Sequence, residues 1–254
     1  MQKKKRILLK VGSNTLTKET NNISRGKIED IANQIAQLKE TCEFIIVSSG
    51  AIAVAKQFVK LESKRKELFV KQALASIGQP HLIRIYQEIF REYGLLSSQC
   101  LLSYSDFEKE ESKTNITNTI NVLVNNSYIP IINENDTVAT DEIKFGDNDK
   151  LGALTASLLG ADLFIIATNT NGIYTKASIE DNKPETIKKV LNFDELKTQV
   201  VNSKSSHGSG GMASKIEAIS VTKNANIETW IVNGLEDNFI VNAMENKVPF
   251  TKIK

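Results

Sequence analysis

Two lysines set beside glycines are the residues best suited to chemistry in this sequence. Lys10 stands in Lys10-Val11-Gly12-Ser13, and Lys215 closes the run His207-Gly208-Ser209-Gly210-Gly211-Met212-Ala213-Ser214-Lys215. Glycine lacks a Cβ, so backbone N–H groups beside it can approach an anion closely, and a lysine adds a full positive charge. In the second segment the glycines precede a predicted helix, whose first N–H groups and dipole favour negative charge. Lys215 falls in its first turn, and helical side chains tilt toward the N-terminus, so its ammonium reaches back over the loop. Both patterns suit a phosphate group. Plainer readings stand beside them: a solvated strand end for Lys10, and a surface loop with a solvated lysine for the glycine run.

The polar residues of other sequence signals are acidic or amide. Glu134 and Asp136 lie in Asn133-Glu134-Asn135-Asp136, and three more acids fall within Asp141 to Asp147. They form either a solvated acidic loop or a site for a cationic ammonium group. Asp147-Asn148-Asp149 precedes a predicted helix, where it can cap the first turn. Alternatively, its carboxylates order lysines or handle Mg²⁺. It is not a calcium loop, because Leu151 occupies a position that needs an oxygen ligand. His81 and His207 have no partner at metal-ligand spacing, which argues against zinc. There is no G-x-S-x-G elbow and no evident histidine base for Ser49. The chain has no G-x-x-x-x-G-K-[ST] P-loop. Gly208 to Ala213 fits G-x-G-x-x-A only formally, since the polar stretch Ser203 to His207 cannot be the strand that motif follows.

Alternating strands and helices must hold these residues. Ile7-Leu8-Leu9 begins a strand that ends near Gly12. Ile28, Ile31, Ala32, Ile35 and Leu38 recur at helical spacing, with Ser24 as the expected N-cap. Phe44 to Val47 reads as a buried parallel strand stopped by Ser48-Ser49-Gly50. A helical stretch from about Lys64 to Tyr93 is predicted to break or kink at Gly78-Gln79-Pro80. Strands are expected at Gln99 to Leu102, Ile129 to Ile132, Leu163 to Ala167 and Thr229 to Val232. Helices are expected at Asn115 to Val124, Leu151 to Leu159, and from Gly211 through Asn224. Lys176 to Lys189 reads as a polar surface excursion, and Trp230 as a core residue. The alternation predicts an α/β fold with a mostly parallel sheet between helix layers. No repeat or linker is evident, so residues 1–254 read as one domain. In open parallel sheets ligands collect at the carboxyl ends of the strands. That is where Lys10 to Ser13, Ser48 to Ala51, Asn133 to Asp136 and Thr168-Asn169 fall.

The chain has 254 residues, of which 41% are apolar and 24% charged, so it can build a sizeable core. With 32 basic and 30 acidic residues its net charge is +2, which excludes nucleic-acid binding through bulk charge. Cys42 and Cys100 are too few for a disulfide framework and read as small buried thiols in a reducing compartment. No apolar run approaches the ~18–20 residues of a membrane span, and the opening Lys3-Lys4-Lys5-Arg6 leads into too short an apolar stretch for a signal peptide. A cytoplasmic location without membrane or nucleic-acid partners is therefore expected.

Taken together, these segments resemble the glutamate 5-kinase family of the amino acid kinase superfamily over essentially the whole chain. Lys10 to Ser13 resembles its opening Lys-x-Gly-[Ser/Thr], Val47 to Ala53 its second-strand loop, and Gly78-Gln79-Pro80 its Gly-Gln-Pro break. Most specific are Pro130 to Asp136 with Phe145 to Asp149, similar to the glutamate-binding region, and Gly208 to Lys215, similar to the nucleotide loop. The resemblance implies a three-layer α/β/α sandwich whose N-terminal part binds L-glutamate and whose C-terminal part binds ATP with Mg²⁺. Lys10 and Lys215 would contact the transferring phosphoryl group, with Asp149 holding both. Ser49, Gly50, Ala51, Asp136 and Asn148 would bind glutamate. Lys10, Gly12, Ser13, Thr168, Asn169, Ser209, Gly210, Gly211, Met212, Ala213, Ser214 and Lys215 would line the nucleotide site. No protein ligand for the metal is implied. The product would be γ-glutamyl phosphate, the first intermediate of proline synthesis. Proline feedback and a homo-oligomer, dimer or tetramer, are likewise implied.

The sequence departs from the family in three places. It ends without the RNA-modification-type (PUA) domain that many relatives carry, Asn169 stands where an Asp is usual, and Ala55 replaces a common Gly. Two other readings stay open: another amino acid kinase acting on acetylglutamate, carbamate or UMP, and a non-catalytic module that senses glutamate or nucleotide.

Overall fold

Side chains alternate across a strand, so neighbouring residues of a buried strand feed two different cores. In the computed structural model of the chain, Ile7, Leu9 and Val11 enter one apolar cluster and Leu8 enters another. Phe44 and Ile46 alternate in the same way with Ile45 and Val47, and Leu163 and Ile165 with Phe164 and Ile166. The structure describes residues 3–18, 22–61, 67–139, 148–175, 178, 184–190, 192–196 and 211–254.

The strands are β1 (Lys5–Val11), β2 (Cys42–Ser48), β3 (Leu96–Leu102), β4 (Tyr128–Glu134), β5 (Leu163–Thr168), β6 (Lys189–Val190), β7 (Glu228–Asn233) and β8 (Thr251–Ile253). They form one eight-stranded sheet in the order β3-β4-β2-β1-β5-β7-β8-β6. From β3 to β7 every pairing is parallel, while β8 runs antiparallel to β7 and parallel to β6. Against one face lie helices Arg25–Leu38, Ala51–Lys56, Glu67–Glu92 and Phe239–Met244, which share the core containing Ile7 and Leu9. Against the other lie helices Glu110–Asn125, Asp149–Leu158 and Met212–Asn224, which share the core containing Leu8. The expected three-layer α/β/α sandwich is therefore observed.

Local signals explain several boundaries. The Ser24 side chain accepts a hydrogen bond from the Lys27 N–H at 3.2 Å and caps its helix as expected. Gly50 precedes helix Ala51–Lys56 at φ 114°, a left-handed conformation that glycine adopts without penalty. Trp230 is buried and packs on Phe250, with ring centroids 4.9 Å apart.

Three expectations change. The break at Gly78-Gln79-Pro80 does not occur: Pro80 lies inside the continuous helix Glu67–Glu92. A Cβ on Gly78 would sit 1.8 Å from the Ala51 carbonyl oxygen, so the glycine is there to bring two helices together. That packing stabilises the helix through the residue that breaks its hydrogen-bond ladder. Cys42 is buried as expected, but Cys100 is half-buried on the edge strand β3. Lys189, assigned to a surface excursion, instead enters the sheet with Val190. Among the described residues, no helix is long and apolar enough to cross a membrane.

Candidate active site

Lys10 has the same parity along β1 as Leu8, so it faces the layer of helices Asp149–Leu158 and Met212–Asn224. Those two helices begin at the carboxyl edge of the sheet and bring Asp149 and Lys215 to the same place. The Lys10 Nζ lies 2.6 Å from Asp149 Oδ1, and the Lys215 Nζ donates to Asp149 Oδ2 at 3.1 Å. Two ammonium groups 205 positions apart in the chain thus converge on one carboxylate. All three residues are buried.

Burial by itself would raise the Asp149 carboxyl above its ordinary range. The charges of Lys10 and Lys215 override it and hold the group down at about 2. Asp149 also occupies the first turn of its helix, where the dipole favours an anion. Counted by themselves, these three side chains carry one net positive charge. Ser214 Oγ lies 3.5 Å from Asp149 Oδ2 and donates to the Gly211 carbonyl at 2.7 Å, which ties the start of helix Met212–Asn224 to the cluster. A Cβ on Gly12 would lie 3.3 Å from Lys10 Nζ, so glycine leaves room beside the ammonium.

To one side of this cluster, at the ends of β2 and β4, lie the residues expected to hold an acceptor. Ser49 follows β2 and is buried; its N–H donates to the Val11 carbonyl at 3.1 Å. Gly50 and Ala51 open the next helix. Asn148 is fully buried and sits at the N-cap position, but its side chain makes no capping bond. Instead its Nδ2 donates to Asn133 Oδ1 at 2.7 Å, Ser49 Oγ at 3.1 Å and the Ser48 carbonyl at 3.4 Å. Asp136 is buried beyond β4, and that burial pushes its carboxyl up to about 6. Among the described residues, Asp136 Oδ1 and Asn148 Oδ1 are buried oxygens without a hydrogen-bond partner. Such acceptors are costly unless a donor arrives.

On the opposite side of β1 lie the ends of β5 and β7. Thr168 Oγ1 lies 3.5 Å from Asn169 Oδ1, and the Thr168 carbonyl accepts from the Gly234 N–H at 2.7 Å. Ser13 opens the short helix Ser13–Thr17 after Gly12. Gly211 is the N-cap of helix Met212–Asn224, with Met212, Ala213 and Ser214 in its first turn. Ser209 and Gly210 lie outside the described residues, as does Asp147.

Two residues outside the expected set are hydrogen-bonded to it. Asn133, at the end of β4, receives the Asn148 amide, and its own Nδ2 donates to Gln79 Oε1 at 2.8 Å. Asn133 shares the parity of Ile131 and so faces the layer that contains helix Glu67–Glu92. Its place in the strand-end run Asn133 to Asp136 was the available sequence signal. Gln79 gave none beyond the Gly-Gln-Pro motif itself.

Comparisons with known proteins place the chain in a class of kinase. The chain matches the amino acid kinase family over residues 5–233. A glutamate 5-kinase from Alkaliphilus metalliredigens is 36% identical over 96% of this chain and 94% of that protein. One from Caldanaerobacter subterraneus is 41% identical over 92% of this chain, and one from Vibrio vulnificus 38% over 94%. The chain spans only 64% of the length of each of these two. Among solved structures, carbamate kinase from Giardia lamblia bound to AMP-PNP has a TM-score of 0.69 at 13% identity, covering 100% of this chain and 99% of that one. UMP kinase from Ureaplasma parvum has a TM-score of 0.64 at 15% identity, with both chains fully covered. These two likenesses show the shared fold. The chain belongs to the amino acid kinase family and, within it, to the glutamate 5-kinases.

Proposed function

We propose that this chain transfers the γ-phosphoryl group of ATP to the side-chain carboxylate of L-glutamate, giving γ-glutamyl phosphate and ADP for proline synthesis. The observation that carries the reading is the position of the Lys10–Asp149–Lys215 cluster. It stands at the end of β1, between the polar residues of β2 and β4 and the ends of β5 and β7. A donor on one side and an acceptor on the other would meet over two ammonium groups. Cytoplasmic location, homo-oligomeric assembly and feedback by proline enter by resemblance to the family.

The reaction asks little acid–base work of the protein. A glutamate side chain, with a pKa of ~4.3, is already ionised near pH 7. One of its oxygens forms the new bond to the γ-phosphorus, while the bond to the β,γ-bridging oxygen breaks and its electron pair leaves with ADP. The obstacle is repulsion between two anions. Lys10 and Lys215 offset the charge that spreads over the transferring group, and Asp149 keeps both ammonium groups in position beforehand. The ends of the strands hold donor and acceptor in line. The net positive cluster fits a triphosphate. Among the described residues no three acidic, His or Cys side chains gather. When bound, Mg²⁺ supplies further neutralisation of that charge.

Asp136 Oδ1 and Asn148 Oδ1 are the groups proposed to receive the α-ammonium of glutamate. An ammonium offers three donors, and either oxygen can accept one. Asp136 must be ionised to contribute its charge, and burial sets its carboxyl near 6 in the free protein. The glutamate KM is therefore expected to rise as the pH falls through about 6, where the carboxylate is lost. In Asp136→Asn, KM should be high throughout and that inflection absent. A pH profile identical in the variant and the wild type would remove Asp136 from the acceptor site.

The activity is tested by trapping the acyl phosphate with hydroxylamine. Hydroxamate should form only with both ATP and glutamate present. Preferential ADP release with acetylglutamate, carbamate or UMP would overturn the choice of acceptor. Binding of both ligands without hydroxamate would favour the sensor.

A further inference from the structure

The Gly78-Gln79-Pro80 motif has no part in the phosphoryl-transfer chemistry, yet the residue at its centre is hydrogen-bonded to the acceptor side of the site. Helix Glu67–Glu92 touches the end of β4 and the loop after it at three places. Gln72 Nε2 donates to the Asp136 carbonyl at 3.0 Å, the Ser76 and Thr137 hydroxyls lie 3.0 Å apart, and Gln79 Oε1 accepts from Asn133 Nδ2 at 2.8 Å. Positions 72, 76 and 79 follow the spacing of one helical face. Gly78 seats that part of the helix against the Ala51 carbonyl, directly after Ser49-Gly50. The backing of the acceptor side is thus fixed by close packing.

A primary amide has one acceptor end and one donor end, so the direction in which it is held decides what it presents. Gln79 Oε1 takes the donor end of Asn133. The acceptor end of Asn133 then receives both the Glu134 N–H, at 2.9 Å, and Asn148 Nδ2, at 2.7 Å. Asn148 is therefore held with its donor end toward Asn133 and Ser49. Its oxygen is left on the other edge of the amide, buried and without a partner among the described residues. Turning Asn133 over would set its Nδ2 against two donors, the Glu134 N–H and Asn148 Nδ2.

We propose that Gln79 is a positioning residue for substrate recognition: through Asn133 it fixes the Asn148 amide so that an acceptor, not a donor, meets the ammonium group of the amino acid. Gln79 touches no substrate itself. Its Oε1 holds the buried Asn133 donor, which otherwise has to seek another partner and disturb the amide beyond it. The inference rests on the reading of the acceptor as glutamate and adds what sets the polarity of its ammonium subsite.

The test uses Gln79→Met, which keeps the length and loses the acceptor, and Gln79→Glu, which keeps an acceptor toward Asn133. In Q79M the glutamate KM should rise about tenfold, the size of losing one hydrogen bond to a charged group. The KM for ATP should remain within about twofold, and so should the inhibition constant of glutarate, a competitor without an ammonium group. Q79E should restore the glutamate KM to within about threefold of wild type. A glutamate KM and a glutarate constant that rise together in Q79M would show general distortion and overturn the proposal. So would an unchanged glutamate KM in Q79M. A tenfold rise in folded Q79E would overturn it too, whether or not Q79M folds. A wild-type protein that forms no glutamate-dependent hydroxamate would instead sink the kinase reading, and the relay with it.

Discussion

Alanine at Lys10 or at Lys215 is expected to lower kcat at least about 100-fold, with the glutamate KM changed much less. Each ammonium is buried, and each is held by the same carboxylate, at 2.6 and 3.1 Å. With both lysines present the cluster is net positive. With either gone, one of the two ammonium groups that offset the incoming phosphoryl group is lost, and the other is balanced by Asp149. The effect is on the transition state, where charge spreads over the transferring oxygens, so it should appear in kcat. The double variant leaves Asp149 alone, a negative charge where the phosphoryl group must sit, so it should turn over more slowly than either single variant. Steady-state rates of the three variants, with thermal unfolding as a control on folding, check this. Turnover close to wild type in either single variant would exclude the phosphate role for that lysine.

The family resemblance implied the convergence of these lysines, but the residues read by themselves gave it only in part. The glycines beside each lysine marked both as anion contacts, and Asp149 was a residue able to order lysines. What joins them is long-range: parity along β1 turns Lys10 to one face, and two later helices deliver Asp149 and Lys215 to that same face. Strands β1, β2, β4, β5 and β7 were legible because each is a continuous apolar run buried on both faces. Strands β6 and β8 were not, since they have two and three residues and too little length to show a period. At Pro80 a break or a kink was expected, and the break does not occur. Local propensity there opposes a helix, and the contact of Gly78 with Ala51, 27 positions away, outweighs it. The same limit hid Gln79, whose significance lies in a hydrogen bond to Asn133 across 54 positions. Capping was one of the readings open for Asp147-Asn148-Asp149, but three acceptors across the strand ends claim the Asn148 donor.

Asp149→Asn is expected to combine slower turnover with lower stability and tighter nucleotide binding. The carboxylate is fully buried and neutralises one of two lysine charges. Removing its charge takes away the carboxylate shared by two buried ammonium groups. Breaking a buried ionic cluster in this way costs on the order of 3–5 kcal/mol. For a chain of this size that corresponds to a fall in melting temperature of roughly 10 °C. The pH dependence has a defined sign. The carboxyl titrates at about 2 in the folded protein against an ordinary 3.8, so its stabilising contribution is complete well above 3.8 and fades as the pH falls through that range toward 2. The gap in melting temperature between wild type and variant should therefore be full at pH 7 and narrow below about pH 4. A polyanion can take the place of the missing carboxylate between the lysines. A non-hydrolysable ATP analogue should thus bind the variant more tightly than the wild type and raise its melting temperature by more. Turnover should nevertheless drop by about 100-fold or more, since the ammonium groups are no longer held where the transition state needs them. A structural role for Asp149 alone would lower stability without tightening nucleotide binding. If the variant binds the analogue no better than wild type, the lysines do not face the phosphates, and the cluster is not the phosphoryl-transfer centre.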